Sequence, residues 1–169
     1  LAGSGATWGA GKYGTAVSVN GVSGSVALAN ASTLNLGSSN FTVMMWAKHN
    51  PLVGSWSQRL FSKCDTDNWQ SGCKDLYFEG YSLKFGSFAT GYTTPVDIVD
   101  TNWHHIAVVF TRATNTVQIY VDGTLRSSDT KNLEADNATH VMILGNLFAA
   151  YNAYTLAGAI DEVRAHFGD

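Results

Sequence analysis

WHHIAVVFT at residues 103–111, followed by VQIYVDG at residues 117–123, is the stretch that predicts the fold of this chain. Alternate residues of an extended strand share a face, so Ile106, Val108 and Phe110 lie on one side and smaller apolar residues on the other. Apolar residues on both faces predict a central strand that is covered from both sides.

The second half of this stretch predicts the other arm of a hairpin. Val117, Ile119 and Val121 alternate with polar residues, which is the pattern of a strand with one buried face. The polar segment 112–116 joins the two arms. Asp122-Gly123 predicts a tight turn after the second arm, because this dipeptide accepts the positive φ angles of a two-residue hairpin turn.

The rest of the chain repeats this pattern in shorter segments. Residues 41–48 are largely apolar on both faces and predict a second central strand, with Trp46 in the core, where Trp103 is also expected. Residues 1–13 are rich in glycine, alanine and serine and are expected to be irregular. No window shows helical periodicity, and about a dozen short strands between turns predict an antiparallel β-sandwich.

Composition narrows the possible partners of the chain. The net charge is −3 and only 14% of residues are charged, so no basic patch for nucleic acid or an acidic membrane is expected. No apolar run is long enough to cross a membrane. Residues 1–5 lack the basic start and apolar middle of a secretion signal, which favours a module excised from a larger protein.

Four further segments agree with the central stretch in carrying a family resemblance. They are residues 16–21, 41–48, 144–146 and 158–164. In this order they resemble the laminin-G-like or concanavalin A-like jelly-roll domains. The resemblance implies an all-β, antiparallel two-sheet sandwich in which residues 1–169 form a single domain. That fold hosts lectins, carbohydrate-binding modules, adhesion domains, glycosidases and lyases, so it does not by itself assign a function.

Two cysteines and three glycosylation triplets favour a secreted protein. Cys64 and Cys73 lie close together in a polar loop, which favours a local disulfide worth roughly 2–3 kcal/mol. Asn30, Asn40 and Asn137 each begin an Asn-X-Ser/Thr triplet. Together these features predict an extracellular location.

A structural calcium ion is a further expectation. Asp65 and Asp67 place oxygen ligands at alternate positions of a loop, and domains of the resembled family often carry a calcium that ties loops together. Asn20 and Asp161, which fall in two of the family-like segments, are an alternative pair of ligands if those segments are neighbours. A plain solvated turn would also explain the Asp65 run.

The sequence does not favour catalysis. A glycosidase needs two carboxylates on one strand face, roughly 5–10 Å apart, but Asp161 and Glu162 are adjacent and face opposite sides. His104 and His105 are adjacent too, so they cannot bind one metal ion together. We therefore predict that the domain is not an enzyme.

The most informative feature of the sequence is the number of aromatic residues in polar, turn-rich loops. Sugars present C–H faces that stack on rings and hydroxyls that bond to amides, and several loop residues offer this combination. The candidates are Trp56, Trp69, Gln70, Tyr92, Tyr151, Asn152 and Tyr154. A competing interpretation is that some of these rings are lids over the core.

These observations predict a monomeric, non-catalytic carbohydrate-binding module within a multidomain protein. Its partner would be a polysaccharide or oligosaccharide, and the module would target an attached enzyme. An adhesion domain is the alternative, and a polysaccharide-degrading enzyme is less favoured. If the loops do not bind sugar, the concave sheet near Tyr81 and Lys84 is the alternative location.

Overall fold

The structure of the chain is a computed structural model that describes residues 5–28, 34–65, 67–137, 139–148, 152 and 154–168. This part of the chain forms fourteen strands and no helix, and therefore contains no helix that could cross a membrane. The strands are β1 Ala6–Ala10, β2 Thr15–Asn20, β3 Val26–Leu28, β4 Asn40–His49, β5 Ser57–Cys64, β6 Lys74–Glu79, β7 Ser82–Ser87, β8 Gly91–Tyr92, β9 Val96–Asp97, β10 His104–Thr111, β11 Thr116–Val121, β12 Thr124–Thr130, β13 Val141–Leu144 and β14 Ala157–Gly168.

The strands form two antiparallel sheets that pack face to face. Sheet one has the order β1-β2-β14-β4-β10-β11-β12. Sheet two has the order β3-β13-β5-β6-β7-β8, and β9 pairs with β7 beside β8. This arrangement confirms the predicted all-β jelly-roll sandwich.

The stretch that predicts the fold lies in the middle of sheet one. β10 pairs with β4, so that Val108 opposes Val43, and it forms the predicted hairpin with β11. The turn after β11 is the expected one, since Asp122 and Gly123 have φ angles of 51° and 77°. Only residues that tolerate positive φ fit both positions of such a turn.

The core lies between the inner faces of the two sheets. Sheet one contributes residues such as Met45, Val108 and Ile119, and sheet two contributes residues such as Leu76 and Phe85, all essentially inaccessible to water. Each of these residues alternates with a neighbour that faces outward, so every strand presents a second set of side chains on the outer face of its sheet.

Two tryptophans expected in the core lie elsewhere. Trp46 is half-buried on the outer face of sheet one, because the alternation that buries Met45 and Ala47 points Trp46 the other way. Trp103 is half-buried beneath the ammonium group of Lys48. The outer face of β10 is likewise only partly covered.

The N-terminal segment is more regular than its composition suggested. Ala6–Ala10 forms β1, which pairs with β2 along its whole length. Pairing needs only backbone groups, so a segment of small residues can form an edge strand without an alternating apolar pattern. The expectation of an irregular segment up to residue 13 was wrong for these five residues.

Candidate functional site

The outer face of sheet two brings together an unusual set of charged and aromatic side chains. Arg59 on β5 is opposite Tyr77 on β6, which is opposite Lys84 on β7. These residues face outward because their strand neighbours, such as Leu76 and Phe78, fill the core. We call this surface the Arg59 face and define it by Arg59, Asp75, Tyr77, Glu79, Lys84, Tyr92 and Tyr154.

Arg59 is held between two aromatic rings. Its guanidinium carbon lies 4.4 Å from the centre of the Tyr77 ring and 4.5 Å from the centre of the Tyr154 ring. The Tyr92 ring continues the row, edge-on to Tyr77 with 5.5 Å between ring centres. A planar guanidinium is well suited to such stacking, so the four side chains form one ordered row.

A buried carboxylate fixes the same arginine from the side. The Arg59 Nε–H donates to Asp75 Oδ2 at 2.9 Å, and an Nη1–H donates to the Ser57 hydroxyl. Burial raises the pKa of the Asp75 carboxyl to about 6, although the adjacent Arg59 charge opposes this shift. Burial, together with the Asp75 charge, also raises the pKa of the Tyr77 hydroxyl. The centre of the face is therefore a desolvated ion pair between aromatic rings.

The predicted disulfide supports one side of this face. Cys64 and Cys73 are bonded to each other, which confirms the sequence prediction. The bridge packs with Leu147 and Phe148, and Trp69 and Tyr154 lie against this small apolar cluster. The disulfide thus helps to hold the segment between β13 and β14 beside Arg59.

The remaining predicted sugar-binding residues lie in different places. Trp56 is 69% exposed just before β5, with its ring over Gly80, beside the Glu79 end of the Arg59 face. Gln70 donates its amide to Asp65 Oδ2 at 2.8 Å, and Asn152 is exposed. Tyr151 lies outside the described residues. The structure therefore places Tyr92 and Tyr154 at the two ends of one row, with Trp69 against the same small apolar cluster as Tyr154 and Trp56 at the Glu79 end of the face.

The residues suggested as calcium ligands already accept hydrogen bonds. Asn20 Oδ1 accepts the backbone N–H groups of Val22 and Ser23. The two Asp161 oxygens accept the N–H groups of Tyr13 and Glu162. Asn20 is opposite Ala157 in β14, four residues from Asp161, so the pair is separated by roughly 13 Å along the strands.

The acidic loop offers no better cluster in the described part of the chain. Asp65 binds Gln70, and Asp67 is exposed. No group of three His, Cys, Asp or Glu residues there is close enough to hold a metal ion. The described side chains therefore form no preformed metal cluster, and calcium binding at Asp65 and Asp67 or at Asn20 and Asp161 stays a prediction.

The glycosylation triplets differ in accessibility. Asn137 is exposed, whereas Asn40 is half-buried and its Oδ1 accepts the Arg112 N–H at 2.8 Å. Asn30 lies outside the described residues. Of the two described sites, Asn137 is the more accessible one for a glycan.

Sheet one carries open clefts that compete with the Arg59 face as sites. A cleft of about 460 Å³ is lined by residues including Ser18, Asn20, Lys48, Asn50 and Thr101. Its lining contains no tryptophan, tyrosine or phenylalanine, and Asn20 and Asn50 use their Oδ1 atoms to cap turns. This cleft offers volume but no flat ring for a sugar. A second cleft on sheet one, lined by Tyr13, Trp46 and His105, has rings but a volume of only about 120 Å³. We therefore place the candidate site on sheet two.

Sequence reasoning did not identify Arg59, Asp75 and Tyr77. These residues lie in or beside short apolar runs, and such runs predict only strands. A usable signal was present: Asp75 and Tyr77 occupy alternate positions of β6, a pattern that places both on one face. Their pairing with Arg59 depends on the register of β5 and could not be read from either segment alone.

Solved structures with the same fold include several sugar-binding domains. The carbohydrate-binding module CBM40 of the Ruminococcus gnavus IT-sialidase superposes with a TM-score of 0.71 and 13% identity, covering 91% of each chain. Domain 4 of AbnA, a GH43 extracellular arabinanase from Geobacillus stearothermophilus, superposes with a TM-score of 0.62 and 20% identity, covering 98% of this chain and 77% of that one. Domains LG4-5 of the mouse laminin alpha1 chain superpose with a TM-score of 0.56 and 14% identity, covering 76% of this chain and 36% of that one.

Comparison at the level of sequence identifies the family. No curated protein matches the chain. The family model for the concanavalin A-like lectin/glucanases superfamily matches residues 20–166. Because this match includes most of the chain and every strand from β3 to β13, the chain belongs to the concanavalin A-like lectin/glucanase superfamily.

Proposed function

We propose that this domain is a non-catalytic carbohydrate-binding module and that its binding site is the Arg59 face. The observation that carries the proposal is the stacked row of Tyr154, Arg59, Tyr77 and Tyr92, which ends at a ring that is 52% exposed. A fixed row of this kind offers a sugar flat surfaces and polar groups in one place.

The chemistry of the row suits a carbohydrate ligand. The exposed face of Tyr92 and the half-exposed ring of Tyr154 can stack on the C–H faces of sugar rings, as aromatic residues do at other interfaces. Lys84 and Glu79, which form an ion pair nearby, can exchange hydrogen bonds with hydroxyls. Tyr77 and Arg59 are buried already, so little ordering of these two side chains is needed on binding.

Two related structures support the choice of ligand class. The R. gnavus CBM40 has been solved bound to alpha2,3 sialyllactose, and domain 4 of AbnA has been solved with arabinotriose. The sequences are too different to carry over individual contacts. Their ligands favour an oligosaccharide over a protein partner for this chain.

The acids of the Arg59 face do not suit glycoside cleavage. Asp75 and Glu79 lie on the same side of β6, four residues apart, which corresponds to roughly 13 Å. Paired catalytic carboxylates lie roughly 5–10 Å apart. Each of these acids is also engaged by a cation, Asp75 by Arg59 and Glu79 by Lys84. This geometry supports binding without turnover, and the disulfide supports an extracellular location.

A glycan array, probed with and without calcium, tests the proposal. We expect binding to oligosaccharides and no release of shorter products on incubation with the polysaccharides that contain them. Binding only to a protein partner would favour an adhesion domain, and product release would establish an enzyme. Either outcome would overturn the proposal.

A pair of variants tests the location of the site. Tyr154→Ala should weaken binding to any glycan that the array identifies by about 1–3 kcal/mol, because it removes one ring of the row. Trp8→Ala is the matched control, since it removes a more exposed ring from β1 of sheet one. If Trp8→Ala weakens binding and Tyr154→Ala does not, the site lies on sheet one.

A further inference from the structure

We propose that the Arg59 face selects neutral glycans over acidic ones and that Asp75 Oδ1 accepts a hydrogen bond from a hydroxyl of the ligand. This inference rests on the proposed function, because it names the class of sugar that the same face binds. It depends on two observations: every cation of the face is matched by a carboxylate, and one carboxylate oxygen has no partner.

The cations of the face are already neutralised. Arg59 is paired with Asp75 through Nε and Oδ2, and Lys84 is paired with Glu79. Beyond the edge of the sheet, Lys131 and Arg126 donate to the backbone carbonyls of Thr90 and Asp97. A backbone carbonyl does not neutralise these two charges, but both lie outside the face. On the face itself, the carboxylate of an acidic sugar would meet no uncompensated cation and would come close to the negative charges of Asp75 and Glu79.

Asp75 retains an unused acceptor atom. Its Oδ1 is buried and has no hydrogen-bond partner among the described residues, which is costly for a carboxylate. A hydroxyl group donates one hydrogen bond and carries no charge, so it can satisfy Oδ1 without repulsion. Burial raises the pKa of the Asp75 carboxyl to about 6, which agrees with an incompletely satisfied carboxylate.

Gly86 makes room for this oxygen at the edge of the face. A Cβ atom at residue 86 would lie 2.2 Å from Asp75 Oδ1 and 3.0 Å from Cε1 of Tyr92. The position therefore requires glycine because of close approach, not because of its backbone angles. The half-exposed Tyr92 ring lies beside this space on the two-residue edge strand β8, so a ligand that binds Oδ1 would approach it past this ring.

A glycan array with equal numbers of neutral and acidic oligosaccharides tests the selectivity. Binding confined to neutral glycans supports the inference. Equal or stronger binding to uronic or sialic acid glycans would overturn it while leaving the proposed function intact. An array without any binding would overturn the proposed function and the inference with it.

Charge variants test the stated causes. Glu79→Gln leaves Lys84 without its partner and should raise the ratio of affinities for acidic over neutral glycans severalfold. Glu162→Gln is the matched control, because Glu162 is exposed and paired with Arg164 on sheet one. An equal gain in both variants would show that net charge, not the Arg59 face, sets the preference.

Asp75→Asn tests the acceptor directly. The amide oxygen of the variant is needed by the Arg59 Nε–H, so its NH2 group takes the place of Oδ1 and cannot accept. Neutral glycans should then bind roughly tenfold to a hundredfold more weakly, the range expected when a hydrogen bond to a charged group is lost. Circular dichroism checks that the variant is folded. Unchanged affinity in a folded Asp75→Asn protein would exclude Asp75 as the acceptor. If that variant does not fold, Gly86→Ala replaces it, because its Cβ closes the space at Oδ1. Unchanged affinity in Gly86→Ala would exclude Asp75 in the same way.

Discussion

On the outer face of sheet one, Lys12 lies 4.5 Å above the Trp46 ring, and Tyr13 and His105 meet the same ring with their edges. On the outer face of sheet two, Arg59 lies between Tyr77 and Tyr154 and is bonded to Asp75. Both faces thus combine a cation with aromatic rings. Only on sheet two is the cation buried and tied to a carboxylate.

The difference indicates how a binding face can be made rigid. Lys12 is exposed in a loop and forms no ion pair with the described residues, so it keeps most of its side-chain freedom. Arg59 loses that freedom when the protein folds, because burial and the ion pair fix it. A ligand of sheet two would not have to order Arg59, whereas a ligand of sheet one would have to order or displace Lys12.

The largest expected effect is the loss of the buried cation. Arg59→Met leaves Asp75 buried without its partner and should lower the free energy of unfolding by about 3–5 kcal/mol. Lys12→Met on sheet one should change it by less than about 0.5 kcal/mol. Urea denaturation at pH 7 measures both values. Similar effects for the two variants would contradict the distinction between the faces.

Loss of the disulfide should have the next largest effect. Replacing Cys64 and Cys73 by serine opens a loop with a sequence separation of 9 and should cost about 2–3 kcal/mol. Because Leu147 and Phe148 pack on the bridge, amide hydrogen exchange should accelerate there and not in β4 of sheet one. Equal acceleration in both sheets would show that the bridge stabilises the whole domain rather than one face.

Removal of one ring from each face compares them as sugar sites. Tyr92→Ala should weaken glycan binding by about 1–3 kcal/mol with little effect on stability, since the ring is half-exposed on an edge strand. Trp46→Ala removes the corresponding ring of sheet one and should leave affinity unchanged. Calorimetric titration measures both, and the opposite ranking would move the site to sheet one.

The smallest expected effect is a pH dependence at one end of sheet one. Burial lowers the pKa of His104, but hydrogen bonds to Asp122 and Asp100 outweigh it, so the net shift is upward. The stability that His104 contributes is therefore complete below its unfolded pKa of about 6.5 and is lost as pH rises through the higher folded value. Denaturation of His104→Gln between pH 5 and 8 should show a flatter profile than the parent protein.

The sequence by itself determined most of the strands and the general fold. The alternation in β4 and β10 depends only on the two-residue period of a strand, and the Asp122-Gly123 turn depends only on local backbone angles. Proximity of Cys64 and Cys73 along the chain was enough to predict their bond. These features are local, so no knowledge of distant contacts was needed.

The tertiary structure decided which face of a strand each residue joins and what lies opposite. Period-two alternation does not say which side is the core, and for this reason Trp46 was placed wrongly. Lys63 and Lys74 look like surface residues in the sequence, yet both are buried, with Lys63 paired to Asp136 at 2.9 Å and Lys74 bonded to the Gly72 carbonyl. The Asp136 partner of Lys63 comes from a distant segment, whereas the Gly72 carbonyl lies two residues before Lys74.

The candidate site shows the same division. The sequence identified Tyr92, Tyr154 and Trp69 as rings in polar loops, which follows from composition alone. It did not identify Arg59 or Asp75, because their pairing depends on the register between β5 and β6. The contact of Arg59 with Tyr154 depends in addition on how the chain folds back before β14. A row of rings around an ion pair forms only when residues distant in sequence meet. The fold could therefore be predicted from local patterns, whereas the site could not.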